Sequence, residues 1–179
     1  MAKWVLEADH SCASFAVRHM MVTWVRGLFT KVTGTLAFDP LDVAASSVEV
    51  EIEAGSLFTG VGQRDDHLKS ADFLDVERYP TITFASTRVE QVALDHAWVH
   101  GDLTIRGVTR PVVLDTRWSG PAHFNDEGTL YTSFGFRAKT MINREDFGMA
   151  WNTEMEHGGV MVGKHVYITL DSETDLVEE

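Results

Sequence analysis

The chain has a single cysteine, Cys12, among 179 residues. A lone cysteine closes no internal disulfide, so nothing in the sequence calls for an oxidising compartment. Long apolar runs are missing too. No window approaches the roughly 18 apolar residues of a membrane-spanning helix. In the opening "MAKWVLEADH", Glu7 and Asp9 interrupt the apolar residues before signal-peptide length is reached. The expectation is a cytoplasmic protein without stable membrane insertion, or a periplasmic one if a leader has been removed. Positive charge is scarce. Lys and Arg number 15 against 27 Asp and Glu, a formal net charge of −12, and no Lys/Arg run exceeds two residues. That balance argues against a nucleic-acid partner. The remainder, 44% hydrophobic and 23% charged, is the composition of a soluble domain able to bury its own core.

Catalytic signatures are also lacking. There is no H-E-x-x-H, no G-x-S-x-G, no glycine-rich phosphate loop and no cysteine pair. Asp65, Asp66 and His67 are consecutive, so on a helix they fan out by about 100° each and cannot share one ion. His96 and His100 lie on one strand face, but four residues of strand separate them by roughly 13 Å. Neither group makes a metal site, and no cofactor is expected. Cys12, between His10 and His19, invites a cysteine–histidine nucleophile. No orienting Asn or Asp follows in a recognisable motif, and cysteine is most often a small buried hydrophobe.

What the chain has in abundance is a period of two. In "SVEVEIE", Val48, Val50 and Ile52 oppose Glu49, Glu51 and Glu53. The same alternation runs through "KVTGTLAF", "AWVHGDLTI", "LYTSFGFRAK" and "KHVYITLD", and more weakly through "SFAVRH", "PTITFASTRV" and "PVVLDTRW". These give about eight strands, with a further short one at "WVLEA", separated by turn signals such as Asp39-Pro40, Gly107 and Gly158-Gly159. Short antiparallel strands with one apolar face make an all-β sandwich or barrel. Two segments break the pattern: Met20–Arg26, and the stretch from Gly62 to about Asp75. The second reads as a helix of about three turns, with Arg64, Asp65 and Asp66 in a solvated first turn and Leu68, Phe73 and Leu74 toward the barrel. The expectation is one domain, 1–179, with a core over about 4–171 and an acidic tail, 172–179, that frays.

Strand parity assigns the inner face. It takes Phe15 and Val17 from the first strand, Val32 and Leu36 from the next, then Val50 and Ile52, Phe84, Leu103 and Ile105, and Phe134 with Phe136. Small inward residues, Gly34, Gly101, Thr132 and Ala138, could leave a lumen unfilled, or neighbouring aromatics could fill it. Pattern alone leaves both open. His19 shares the face of Phe15 and Val17, and Arg144 follows a strand end at a rim.

The strings "HSCASFAVRH", "GLFTKVTGTLAFDP", "SSVEVEIEAGSLFTG", "RDDHLKSADFLDVERYPTITFAST", "VHGDLTIRGVTRPVVL" and "INREDFGMAWN" together resemble the YceI-like family of polyisoprenoid-binding proteins, from about Trp4 to Asp171. The resemblance implies a lipocalin-like, eight-stranded antiparallel barrel, with one or two short helices packed on it, that forms a homodimer. Such a barrel encloses a long apolar isoprenoid or quinone-like lipid. It also implies a carrier or sequestering role without catalysis, and a charged helix that is architecture rather than chemistry. Within that reading His10, Ser11, His19 and Arg144 are candidates to meet the lipid head group, and the parity residues above line its tail. The alternative is an enzyme of unknown chemistry acting on such a lipid through His10, Cys12, His19 and Arg144.

Overall fold

Alternating side chains need an interior to alternate into, and here the sheet closes on itself. The computed structural model describes residues 1–177. Its strands are β1 (Lys3–His19), β2 (Thr23–Phe29), β3 (Val32–Ala37), β4 (Ser47–Glu53) and β5 (Leu57–Phe58), then β6 (Thr81–Ala93), β7 (His96–Ile105), β8 (Val108–Asp126), β9 (Thr129–Asn143) and β10 (Val162–Leu176). From β6 onward each strand pairs antiparallel with the next, and β10 returns to pair with β1. β2 and β3 lie end to end along the other edge of β1, against Ala13–His19 and Lys3–Val5 respectively. β4 and β5 continue one another in the same way beside β3 and β2. Among the described residues the result is a closed eight-stranded antiparallel barrel with one short α-helix, α1 (Gly62–Lys69).

The two double strands break at the same height. The Glu53 N–H donates to the Lys31 carbonyl at 3.0 Å, the Lys31 N–H donates to Ser56 Oγ at 3.2 Å, and that hydroxyl donates to the Glu53 carbonyl at 2.7 Å. Side chain and backbone together supply the bonds where the ladder stops.

Several elements differ from the sequence reading. "WVLEA" and "SFAVRH" form one strand of 17 residues, because a bulge between Glu7 and Cys12 lets β1 stay paired with β10. The turn at Met20–Val22 is shorter than the break expected over Met20–Arg26, and β2 starts at Thr23. Its alternation is masked by Gly27, where the Phe15 ring takes the space of a side chain, 2.5 Å from where a β-carbon would sit. β10 does not stop at Asp171. It continues to Leu176 with Ser172 and Thr174 buried and Glu173 and Asp175 on the opposite face. The tail expected to fray is therefore paired with β9 and β1 as far as Leu176, and residues 178 and 179 lie outside the described part.

α1 has eight residues and stops at Lys69 rather than Asp75. Ser70 leaves the helix with extended backbone, and its Oγ donates to the His67 carbonyl at 2.7 Å. Phe73 and Leu74 are buried from the turn that follows. Asp65, expected in solvent, is buried. It accepts from the Thr59 N–H at 3.0 Å and the Thr59 hydroxyl at 2.5 Å. A helix this short gains little stability by itself, and this carboxylate latches it to the segment after β5.

The barrel ends are closed differently. One end has an aromatic floor: Phe38 meets Trp118, Phe134 and Phe136 edge-to-face at centroid distances of 5.6, 5.2 and 5.2 Å. Trp4 packs on Phe134 at 5.1 Å and donates from Nε1 to the Phe38 carbonyl at 3.0 Å. The other end has a lid made of α1, the Phe73–Leu74 turn and the segment Arg144–Met149. Arg106, in the β7–β8 turn, joins two parts of the lid by donating to the Gly148 and Ala71 carbonyls at 2.5 and 2.8 Å.

Candidate functional site

Between floor and lid the barrel contains a cavity of about 230 Å³. A somewhat smaller apolar cavity, about 150 Å³ lined by Leu, Ile and Phe, stays dry and accepts a small aromatic molecule. The walls come from every part of the ring. Phe38, Val43 and Trp118 contribute at the floor, and Leu68, Phe73, Leu74 and Met149 at the lid. Of the residues assigned by parity, Phe15, Val17, Leu36, Val50, Ile52, Phe84, Leu103, Ile105 and Phe136 stand on this wall. Val32 and Phe134 do not. Val32 is fully buried in the surrounding core, and Phe134 is spent on the aromatic floor.

Of the small inward residues, Ala138 stands on the cavity wall, but the two glycines do not open it. The ring of Phe84 lies over Gly101, and Gly34 lies against the Glu49 carbonyl and Leu6, so neighbouring atoms fill both gaps. The open volume lies instead along the barrel axis, where the aliphatic side chains of facing strands do not meet.

The head-group candidates are scattered. His10 projects from the β1 bulge to the outer surface, with Nδ1 at 3.3 Å from Glu7 and 3.4 Å from Glu173. Ser11 is buried, but its hydroxyl points to the Glu173 carbonyl at 3.5 Å and it is not on the cavity wall. His19 is half-buried at the end of β1, in register with Thr23 and Val162, and is likewise off the wall. Counted back from Phe15, Ala13 and Ser11 fall on the inner side and are buried, while His10 falls on the outer side; at the other end a register shift between Val17 and His19 ends the alternation that would have carried His19 inward. Cys12 pairs in register with Asp171 and does not reach the cavity.

Arg144 alone of the four reaches the wall, and its guanidinium is already occupied. It donates from Nε to the Gly163 carbonyl at 2.9 Å, from one terminal nitrogen to the Met149 carbonyl, and from the other to the Val162 carbonyl at 3.3 Å. Burial lowers its pKa from the ordinary value, with the Glu145 carboxylate opposing the shift. The fork stitches the lid to the start of β10. Arg144 is also the one charged residue on the wall among the described residues.

Besides Arg144, the polar residues of the lining went unread in the sequence: Ser46, Ser47, Thr116, Ser172 and Thr174 toward the floor, and Ser14 and Thr140 farther along, whose oxygens turn away and leave the cavity surface almost wholly apolar. Ser172 and Thr174 carry a period-two signal in "DSETD", hidden because every alternate residue is acidic. Ser46 precedes β4 and carries no signal at all. Elsewhere the polar groups pair locally: His67 with Asp72 at 2.8 Å, His96 with Asp115 at 2.7 Å, and Arg88 with His100 at 3.0 Å. Among the described residues no cluster of three His, Cys, Asp or Glu is arranged to hold a metal ion. What the interior can do chemically is dissolve an apolar chain and reject a charge, since an ion there would lose its hydration with no partner to replace it.

Comparison with known proteins adds relatives to this geometry. The family model described as "YceI-like domain" matches residues 4–174. A UPF0312 protein of Pseudomonas savastanoi is 37% identical over 143 residues, which is 80% of this chain and 73% of that one. Among solved structures, BcnA of Burkholderia cenocepacia superposes with a TM-score of 0.80 at 23% identity, over 94% of this chain and 98% of that one. A polyisoprenoid binding domain from Saccharophagus degradans gives 0.72 at 13% identity, over 99% and 100%. At those identities the two structures speak for the fold.

Proposed function

The chain belongs to the YceI-like domain family, and on that premise we propose that it binds a long-chain isoprenoid or related apolar lipid in its lumen and releases it unchanged. The observation that carries this reading is the cavity itself: it runs from an aromatic floor to a lid, with aliphatic and aromatic walls and no free charge. The Saccharophagus relative, described as polyisoprenoid-binding, supports the same ligand class. Each methylene moved from water onto such a wall contributes about 0.8 kcal/mol. Affinity therefore grows with the buried length of tail, and neighbouring chain lengths are poorly distinguished. A carrier or a sequestering protein needs these properties and no catalytic group. The enzyme reading finds its candidates apart, with His10 outside, Cys12 and His19 off the wall, and Arg144 bound to carbonyls.

The test uses Trp118, which stands on the wall. Delipidated protein titrated with a polyprenyl quinone should show saturable quenching of tryptophan fluorescence, and a quinone without a tail should not compete. Quenching that is linear in quinone and equal for both compounds contradicts a binding lumen.

A further inference from the structure

Asp and Glu are absent from residues 10–38, 103–114, 128–144 and 157–170. The sheet brings these stretches side by side, as most of β1 with β2 and β3, most of β10, all of β9 and the first part of β8. On the outer face of this sector, in its lid half, one register row runs Arg26, Ala16, Tyr167, Met141. Trp24 packs edge-on against Tyr167 at 5.5 Å, and Arg18 and Arg26 lie over its ring at 4.8 and 5.8 Å from the centroid. Met141 and Val113 line one shallow hollow of the surface. Trp24, Tyr167, Met141 and Val113 are each between 38 and 51% exposed. The β1–β2 turn adjoins them at the lid end, since His19 pairs with Val162, whose carbonyl Arg144 holds. Its residues Met20, Met21 and Val22 are 37, 53 and 77% exposed. Met20 and Met21 hold φ of 50° and 60°, a left-handed conformation that Gly or Asn adopts at less cost. Three apolar side chains at a tip whose backbone does not favour them serve contact rather than folding. Arg88, Arg117 and Arg137 pair with carboxylates elsewhere, whereas Arg18 and Arg26 have no such partner among the described residues. Acids return at the margins: Glu145, paired with Lys164 at 3.3 Å, Asp115, in register with Lys139, and Glu154 and Glu156 in the hairpin before Met161, whose carbonyl accepts from the Met20 N–H.

We propose that this face docks on an anionic phospholipid bilayer, with Met20–Val22 entering the headgroup layer and Trp24 and Tyr167 at its level. Trp and Tyr favour that layer because each has an apolar body and a polar tip. Arg18 and Arg26, held beside Trp24, meet lipid phosphates, and the apolar residues around them leave water. The chain as a whole carries −12 and is repelled by such a surface, so charge turns this acid-free face toward it. A second copy of the chain fits less well. Two-fold pairing brings the face to itself, and Arg18 and Arg26 then find no acid opposite. The contact is peripheral: among the described residues no helix is long and apolar enough to cross a membrane. Docked in this way, the lid lies at the bilayer, and a lipid bound for the lumen reaches it without crossing water. The docking itself stands on surface residues and does not depend on the lumen being occupied.

The experiment measures co-sedimentation of delipidated protein with vesicles of phosphatidylcholine alone and of phosphatidylcholine mixed with phosphatidylglycerol. The expected result is binding to the mixed vesicles that weakens as salt is raised, with little binding to phosphatidylcholine. Arg18→Ser and Arg26→Ser should each weaken it about fivefold, the effect of one cation at an anionic surface. Val22→Asp, at an exposed turn, should release the protein with no change in melting temperature. Arg117→Ser removes a cation beside Trp118 at the floor end and should bind like the parent protein. Equal binding to the two vesicles, no binding to either, or anionic binding that survives Val22→Asp and both arginine changes would each overturn the proposal. So would a parent protein that sediments as a dimer and becomes a monomer on Val22→Asp, because a second copy would then cover this face. Vesicle binding is read on delipidated protein, so a lumen that takes up no quinone would remove the lipid-binding reading and leave this result unchanged.

Discussion

The ring of Phe84 lies across Gly101 on the neighbouring strand, in the space that a β-carbon at Gly101 would take. The Ala85 carbonyl oxygen stands 2.5 Å from that same point. A ring can swing aside, but a carbonyl in a sheet ladder cannot. Gly101→Ala should therefore destabilise the barrel by about 1–3 kcal/mol, the cost of overpacking a filled interior. The denaturant midpoint measures it, and an unchanged midpoint contradicts the packing described.

Asp65 holds the start of α1 through two bonds from Thr59, and Arg64 adds two more by donating from Nε to the Thr59 hydroxyl at 2.8 Å and from a terminal nitrogen to the Thr59 carbonyl at 3.0 Å. Asp65→Ala leaves the Thr59 N–H unpaired at a partly buried position. A loss of about 1–3 kcal/mol is expected, with faster hydrogen exchange at residues 59–69 than in β7. Uniform exchange across the barrel would count against a local latch.

His67 contributes less. It bonds the exposed Asp72 and meets the rings of Phe73 and Trp151 at 5.1 and 4.6 Å. His67→Ala should cost no more than about 1 kcal/mol and leave retention of bound lipid intact. Loss of lipid from a variant that still melts cooperatively would give this helix a binding role.

Arg144 is the group whose removal should do most harm to the lid. Lysine supplies the charge but not the planar fork that reaches three carbonyls. Arg144→Lys should lower stability by about 2–3 kcal/mol. The drop should be seen in thermal melts of delipidated protein, where no ligand contributes. Equal melting of the two proteins contradicts the stitching role.

Much of the architecture was written in alternation. Val48, Val50 and Ile52 against three glutamates could only be a strand with one apolar side, and the inward set from Phe15 to Phe136 follows from that rule. Where the rule failed, a local event had reset it. In β1 a register shift between Val17 and His19 took His19 off the wall that Phe15 and Val17 share, and one between Glu7 and Cys12 changed the phase so that Trp4 and Leu6 are buried on one side of it and Ser11 and Ala13 on the other. In β10 the pattern persisted, but Ser172 and Thr174 stand between acids and do not look like core. Gly101 and Gly34 were visible as small inward residues, yet smallness in sequence does not say which neighbour fills the gap. Ser46 was illegible for a different reason. Its place on the lining depends on how a turn, a strand start and the barrel interior meet, and none of that is local.

The central claim is that this lumen holds a lipid. Protein purified without detergent, extracted into organic solvent and analysed by mass spectrometry, with native mass spectrometry of the same sample, tests it most directly. The account predicts a long-chain isoprenoid or related apolar compound, close to one per chain, and an intact mass heavier than the bare polypeptide by that amount. An empty extract, with the bare mass and no uptake of added polyprenyl quinone, would contradict it.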